Sequence, residues 1–97
     1  MGYGRSKAGK DIAMALTPLQ AAHVAKVYPE TRAEMADFLD RGVAVCVGPQ
    51  NECGADVPRF AIWVVAKPEF WIDCCETVAA AVVLAESLGL RVVRTAG

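Results

Sequence analysis

Eight consecutive apolar residues, Val78-Ala79-Ala80-Ala81-Val82-Val83-Leu84-Ala85, stand between Thr77 and Glu86-Ser87-Leu88-Gly89. Thr77 offers an N-cap and Gly89 a left-handed stop, with Leu90 placed for the hydrophobic contact of a Schellman turn, so a helix is predicted over Thr77 to Leu88. A helix that is apolar all round is normally buried on every side. A chain of 97 residues buries only roughly two-thirds of its unfolded surface, so little mass is left to cover such a helix. Either other helices of the chain cover it, or a second copy does and the chain is a homodimer. The run is far shorter than the roughly 20 residues that cross a bilayer, and no membrane association is expected.

Two further helices are punctuated as clearly. Thr17-Pro18-Leu19-Gln20 supplies a cap, a proline at the first helical position and a Gln that closes a capping box. That helix is predicted to run to about Tyr28, before Pro29, with Ala21, Val24, Val27 and Tyr28 on its apolar arc and His23 solvated at the edge. Thr31-Arg32-Ala33-Glu34 repeats the start signal, and Arg41-Gly42 gives a basic last turn and a stop. At 100° per residue Met35, Ala36, Phe38 and Leu39 share one arc, and Glu34, Asp37 and Arg41 lie opposite. The outer face of this helix is therefore acidic.

The strands are shorter. Val43 to Val47 reads as a buried strand and Gly48 to Pro58 as a loop. Arg59 to Ala66 and Phe70 to Cys74 read as a hairpin joined by Lys67-Pro68-Glu69, and Arg91 to Arg94 as a closing strand. The expected fold is α+β in the order α-α-β-β-β-α-β: two N-terminal helices, a three-stranded antiparallel meander, one helix and a closing strand. Residues 11–97 form the single domain, preceded by a basic tail over residues 1–10. If Ala66 pairs with Phe70, then Phe60, Ile62, Val64, Phe70, Ile72 and Cys74 share one face, and Trp63, Val65, Trp71 and Asp73 the other. Two Trp beside a carboxylate suit an interface, where Trp is enriched among the strongest contacts.

The net charge of −1, from 10 Lys plus Arg against 11 Asp plus Glu, excludes a uniformly phosphate-seeking surface. It is a cancellation. Residues 1–26 carry Arg5, Lys7, Lys10 and Lys26 against Asp11, whereas residues 27–90 set four cations against ten carboxylates. An acidic body complements a basic partner surface, and nucleic-acid enzymes commonly own such surfaces.

Catalytic readings fail on their chemistry. Gly4 to Lys10 matches a phosphate-binding loop, but Asp11 stands where a hydroxyl would ligate magnesium, and no strand precedes it. The four cysteines, Cys46, Cys53, Cys74 and Cys75, lack the spacing of a zinc site and are read as reduced thiols. His23 is the single imidazole available to activate one. A helix-turn-helix reading would press Glu34, Asp37 and Asp40 onto phosphates. No catalytic residue, metal or cofactor is assigned. Asp11 and Thr17-Pro18 leave too short an apolar stretch for a signal peptide, so the chain is expected in the cytoplasm.

The stretch Phe70-Trp71-Ile72-Asp73, followed by a Thr-started Ala-rich helix ending Glu86-Ser87-Leu88-Gly89-Leu90 and a closing Val strand, resembles small proteins encoded by phages and mobile elements, anti-CRISPR proteins among them. The likeness covers residues 59–94 and carries no site residue over. It implies a non-enzymatic inhibitor that acts in the host cytoplasm by occupying a CRISPR effector or another nucleic-acid-handling complex. The residues expected to contact that partner are Glu34, Asp37, Asp40, Trp63, Glu69, Trp71 and Asp73. Two alternatives stand beside it: a nucleic-acid accessory or regulatory protein using Arg5, Lys7 and Lys10, and a structural homodimerisation domain.

Overall fold

The computed structural model describes residues 16–51 and 56–96. The chain divides into two compact units that meet in sequence between Gly42 and Val43. The first holds helix α1 (Pro18–Lys26), a 3-10 turn (Pro29–Thr31) and helix α2 (Arg32–Arg41). The second holds strands β1 (Ala44–Pro49), β2 (Phe60–Val64) and β3 (Lys67–Cys75), helix α3 (Val78–Ser87) and strand β4 (Arg91–Thr95). The fold is α+β. It differs from the expected order by the added 3-10 turn, and the sheet is mixed rather than a meander alone.

In the helical unit the Thr17 hydroxyl accepts from the Gln20 amide at 3.1 Å, and the Gln20 side chain accepts from the Thr17 amide at 2.9 Å. This reciprocal cap stabilises the start of α1 by about 1 kcal/mol. The helix stops at Lys26, two residues before the expected end, because Val27 and Tyr28 are extended, the conformation that Pro29 imposes on its neighbour. Arg32 reaches back to donate to the Val27 and Ala25 carbonyls at 3.1 Å each, satisfying acceptors that the helix end leaves open. The expected Thr31 cap does not form: its hydroxyl donates to the Tyr28 carbonyl at 2.9 Å.

The inner stripe of α1 also departs from hydropathy. Gln20 and His23 are buried, Val24 and Val27 half-buried, and Ala21 and Tyr28 exposed. The spacing 20, 23, 24, 27 is a regular helical stripe, but two of its members are polar. Gln20 is accommodated because its amide donates to the Leu39 carbonyl of α2 at 3.1 Å, as a buried polar group requires. The solvated position expected for His23 is thus corrected. In α2, Met35, Phe38 and Leu39 are buried as the periodicity predicts.

The sheet order is β3-β2-β1-β4. β1 pairs antiparallel with β2, β2 antiparallel with β3, and β4 joins parallel to β1. Parallel neighbours need a crossover, and α3 provides it, touching all four strands. Val45, Val47, Ile62 and Val64 have no exposure at all, and the register pairs Val45 with Val64 and Val47 with Ile62, so these four share one face. Ala81 and Ala85 of α3, and Leu88 at its C-cap, are buried as well.

Thr77 caps α3, its hydroxyl accepting from the Ala80 amide at 3.0 Å. At the other end the Leu90 amide donates to the Ala85 carbonyl and the Gly89 amide to the Glu86 carbonyl, both at 3.0 Å. With Gly89 at φ 79° and Leu90 buried, this is the predicted Schellman turn. Within a single chain α3 is not buried on every side, since Ala79, Ala80, Glu86 and Ser87 are exposed and Val83 is 66% exposed.

The hairpin turn is also corrected. It is Val65-Ala66, and Val64 pairs with Lys67; Lys67-Pro68-Glu69 opens β3. β3 is an edge strand, where a proline costs no ladder hydrogen bond. β1 likewise runs on through Gly48 and Pro49, residues expected in the loop.

Candidate functional site: the tryptophan face of the sheet

The face of the sheet opposite Val45, Val47, Ile62 and Val64 carries a different set of residues. Cys46 pairs with Trp63, and Gly48 with Ala61. Trp63 in turn pairs with Trp71, and Ala61 with Cys74. Cross-strand partners share a face, so the two indoles stand side by side on β2 and β3. Both are half-buried, while Ala61 beneath them is 1% exposed. With Pro49, Pro68, Gln50 and Asn51, they line an open depression of about 410 Å³.

Gly48 makes this arrangement possible. A Cβ there would lie 2.7 Å from Cη2 and 3.0 Å from Cζ3 of Trp63, so the indole rests where any side chain on β1 would collide. The Gln50 side chain donates to the Pro58 carbonyl at 2.9 Å, and its amide to the Arg59 carbonyl at 2.8 Å. These bonds fix the chain on both sides of the loop that follows β1.

The sheet has three register irregularities: one, between Trp63 and Val64, passes over Pro68, Glu69 and Phe70, and the other two decide where Asp73, Arg91 and Arg94 stand. Between Ile62 and Trp63 the pairing passes from Asp73 to Trp71, so Ile72 is the extra residue and is buried at 3% exposure. Asp73 consequently pairs with Ile62, not with the Trp residues, and the shared face expected for Trp71 and Asp73 is corrected. Its carboxylate accepts from the Cys74 amide at 2.7 Å. A second bulge lies in β4: Ala44 pairs with Arg91 and Cys46 with Arg94, with Val93 as the extra residue. Arg91 and Arg94, three apart, would point to opposite faces of a regular strand. The bulge places both on the tryptophan face.

The residues expected to bind a partner therefore fall into sets. Trp63 and Trp71 are brought together, and Glu69 is exposed on β3. Glu34, Asp37 and Asp40 lie on α2 in the helical unit, where Asp37 is engaged by Arg41 at 2.9 Å across one turn. Such an exposed pair contributes about 0.3–0.5 kcal/mol. Arg5, Lys7, Lys10 and Cys53 lie outside the described residues. Cys46, Cys74 and Cys75 are not joined in disulfides. Burial, followed by the Asp73 charge, pushes the Cys75 thiol above its ordinary value, which keeps it protonated and weakly nucleophilic. Among the described residues no group of three or more His, Cys, Asp or Glu is placed to hold a metal. No helix among them is long and apolar enough to cross a membrane.

Sequence reasoning missed Gly48, Arg91 and Arg94 as parts of this face. No local signal marks them, because a close approach between strands and a bulge in a parallel pair both depend on the partner strand. Comparison with protein-family models, with curated proteins and with solved structures finds no match to this chain.

Proposed function

We propose that the chain is a non-enzymatic protein-binding module whose contact surface is centred on Trp63 and Trp71. The observation that carries this reading is the pair of facing indoles lining an open depression of about 410 Å³. Burying both against a core of aliphatic residues would have stabilised the domain more than leaving them half-exposed, and half-exposed Trp is the usual anchor of a recognition surface. Glu69 on β3 supplies a carboxylate for Arg or Lys of the partner through charge-assisted hydrogen bonds; Asp73, which pairs with Ile62, and Glu34, Asp37 and Asp40 on α2 of the helical unit are separate acidic groups of the same chemistry.

In its narrowest form the reading is a phage-encoded inhibitor of the anti-CRISPR type, acting in the host cytoplasm on a nucleic-acid-handling complex with a basic surface. The resemblance over residues 59–94 supports that form, and the surplus of acid over residues 27–90 agrees with it.

The test is capture from bacterial lysate by the full chain, by W63A/W71A and by D37K/D40K/D73K, with mass-spectrometric identification. The expected result is a nucleic-acid-handling complex held by the parent and lost from both variants, each Trp removal weakening binding by about 30-fold or more. Equal retention by all three proteins would exclude this surface. A stable dimer that captures nothing would replace the reading with an oligomerisation role.

A further inference from the structure

Across the four strands one row of the tryptophan face reads Arg94, Cys46, Trp63, Trp71, because Cys46 pairs with both Arg94 and Trp63, and Trp63 with Trp71. Arg91 stands on the same face, opposite Ala44. Both arginines are exposed, and neither takes part in an ion pair among the described residues. The two bulges act in concert: one moves the Asp73 carboxylate away from the indoles, and the other brings a second guanidinium toward them. The carboxylate that remains, Glu69, lies on β3, at the sheet edge opposite β4.

The geometry points to a binding platform for single-stranded nucleic acid, with bases stacked on Trp63 and Trp71 and the backbone phosphates held by Arg91 and Arg94. Aromatic side chains on a sheet surface stack unpaired bases of any sequence, and flanking cations track the backbone. Adjacent strands are about 4.8 Å apart, which sets the Arg94 backbone roughly 10 Å from that of Trp63. A long guanidinium side chain bridges that gap to the phosphate of a base lying on the indole. A duplex does not fit the row, since its bases are paired and its stacking faces occupied. The inference rests on the Trp pair being an exposed contact site, as in the reading above. It adds a ligand that the carboxylate set cannot bind.

Trp63 and Trp71 are the chain's two tryptophans, so tryptophan fluorescence, excited where tyrosine does not absorb, reports on this face alone. The full chain is titrated with oligothymidylate, oligouridylate, a DNA duplex and an oligoglutamate peptide. The expected result is saturable quenching by one or both single strands and none by the duplex or the peptide. R91E/R94E, checked for folding by far-UV circular dichroism, should lose at least tenfold in affinity. The salt slope should shrink by about 1.4, since each phosphate contact on a single strand contributes roughly 0.7. Quenching that survives the double substitution, or that the oligoglutamate reproduces, overturns the platform, as does the absence of any quenching. No protein partner is present in this titration, so its failure leaves the protein-binding reading standing. Conversely, a failed capture from lysate leaves the platform standing.

Discussion

The two faces of the sheet are built to different rules. One is aliphatic and dry: Val45, Val47, Ile62 and Val64 are fully buried, in regular pairs. The other carries two half-exposed indoles over a glycine and an alanine, a thiol, and two arginines on the edge. The first arrangement maximises apolar area removed from water, which is what holds a small domain together. The second gives up part of that gain, as the proposed contact surface would require. Stability and binding should therefore separate by face. Truncation on the dry face should unfold the sheet, and truncation on the tryptophan face should leave it folded.

The largest expected effect is on the dry face. Ile62→Ala removes a fully buried side chain from the strand between β1 and β3 and should destabilise by about 2–4 kcal/mol through lost burial and the cavity left behind. Chemical denaturation followed by far-UV circular dichroism measures it. W71A, on a half-exposed residue of an edge strand, should cost clearly less. If W71A destabilises as much as Ile62→Ala, the tryptophan face is core and the comparison collapses.

Gly48→Ala probes the boundary between the two faces, and its expected effect is intermediate. The new methyl would lie 2.7 Å from Trp63, so the indole must tilt toward the depression. The contacted atoms are at the far end of the side chain and the space beside them is open, so the cost should be about 1 kcal/mol, the low end for overpacking. The clearer signature is a changed near-UV circular dichroism band and a smaller depression. An unchanged near-UV spectrum would mean that the indole does not rest on Gly48.

What could be read from the sequence follows the range of the interaction that fixes each feature. The Thr17–Gln20 box, the Thr77 cap and the Gly89–Leu90 turn are settled within five residues of chain, and all three stand where their residue types place them. The buried stripe of α1 escaped because hydropathy discounts Gln20, whose partner, the Leu39 carbonyl, lies on another helix. Pro68 signals a turn wherever the neighbouring strand is unknown. Only the sheet order shows that β3 is an edge that tolerates it. The bulges at Ile72 and Val93 are the furthest from view, and they decide where Asp73 and Arg94 stand relative to the indoles. The aromatic half of the candidate site was thus legible, and its electrostatics were not.

The smallest expected effect concerns the strand that carries both bulge and thiols. Burial and the neighbouring Asp73 raise the Cys75 thiol in the folded chain, so the unfolded chain releases this proton first as pH rises. The contribution is fully present below the unfolded thiol range, about 8.5, and is lost as pH climbs through the folded value. Cys75→Ala should therefore flatten the fall in stability on the alkaline side, by well under 1 kcal/mol because the thiol is only half-buried. Urea denaturation of the parent and of Cys75→Ala at neutral and alkaline pH measures the difference. Equal slopes for Cys75→Ala and the parent would show that the edge of β3 at Cys75 is as open to solvent as the tryptophan face, and that the contrast between the two faces ends before the strand does.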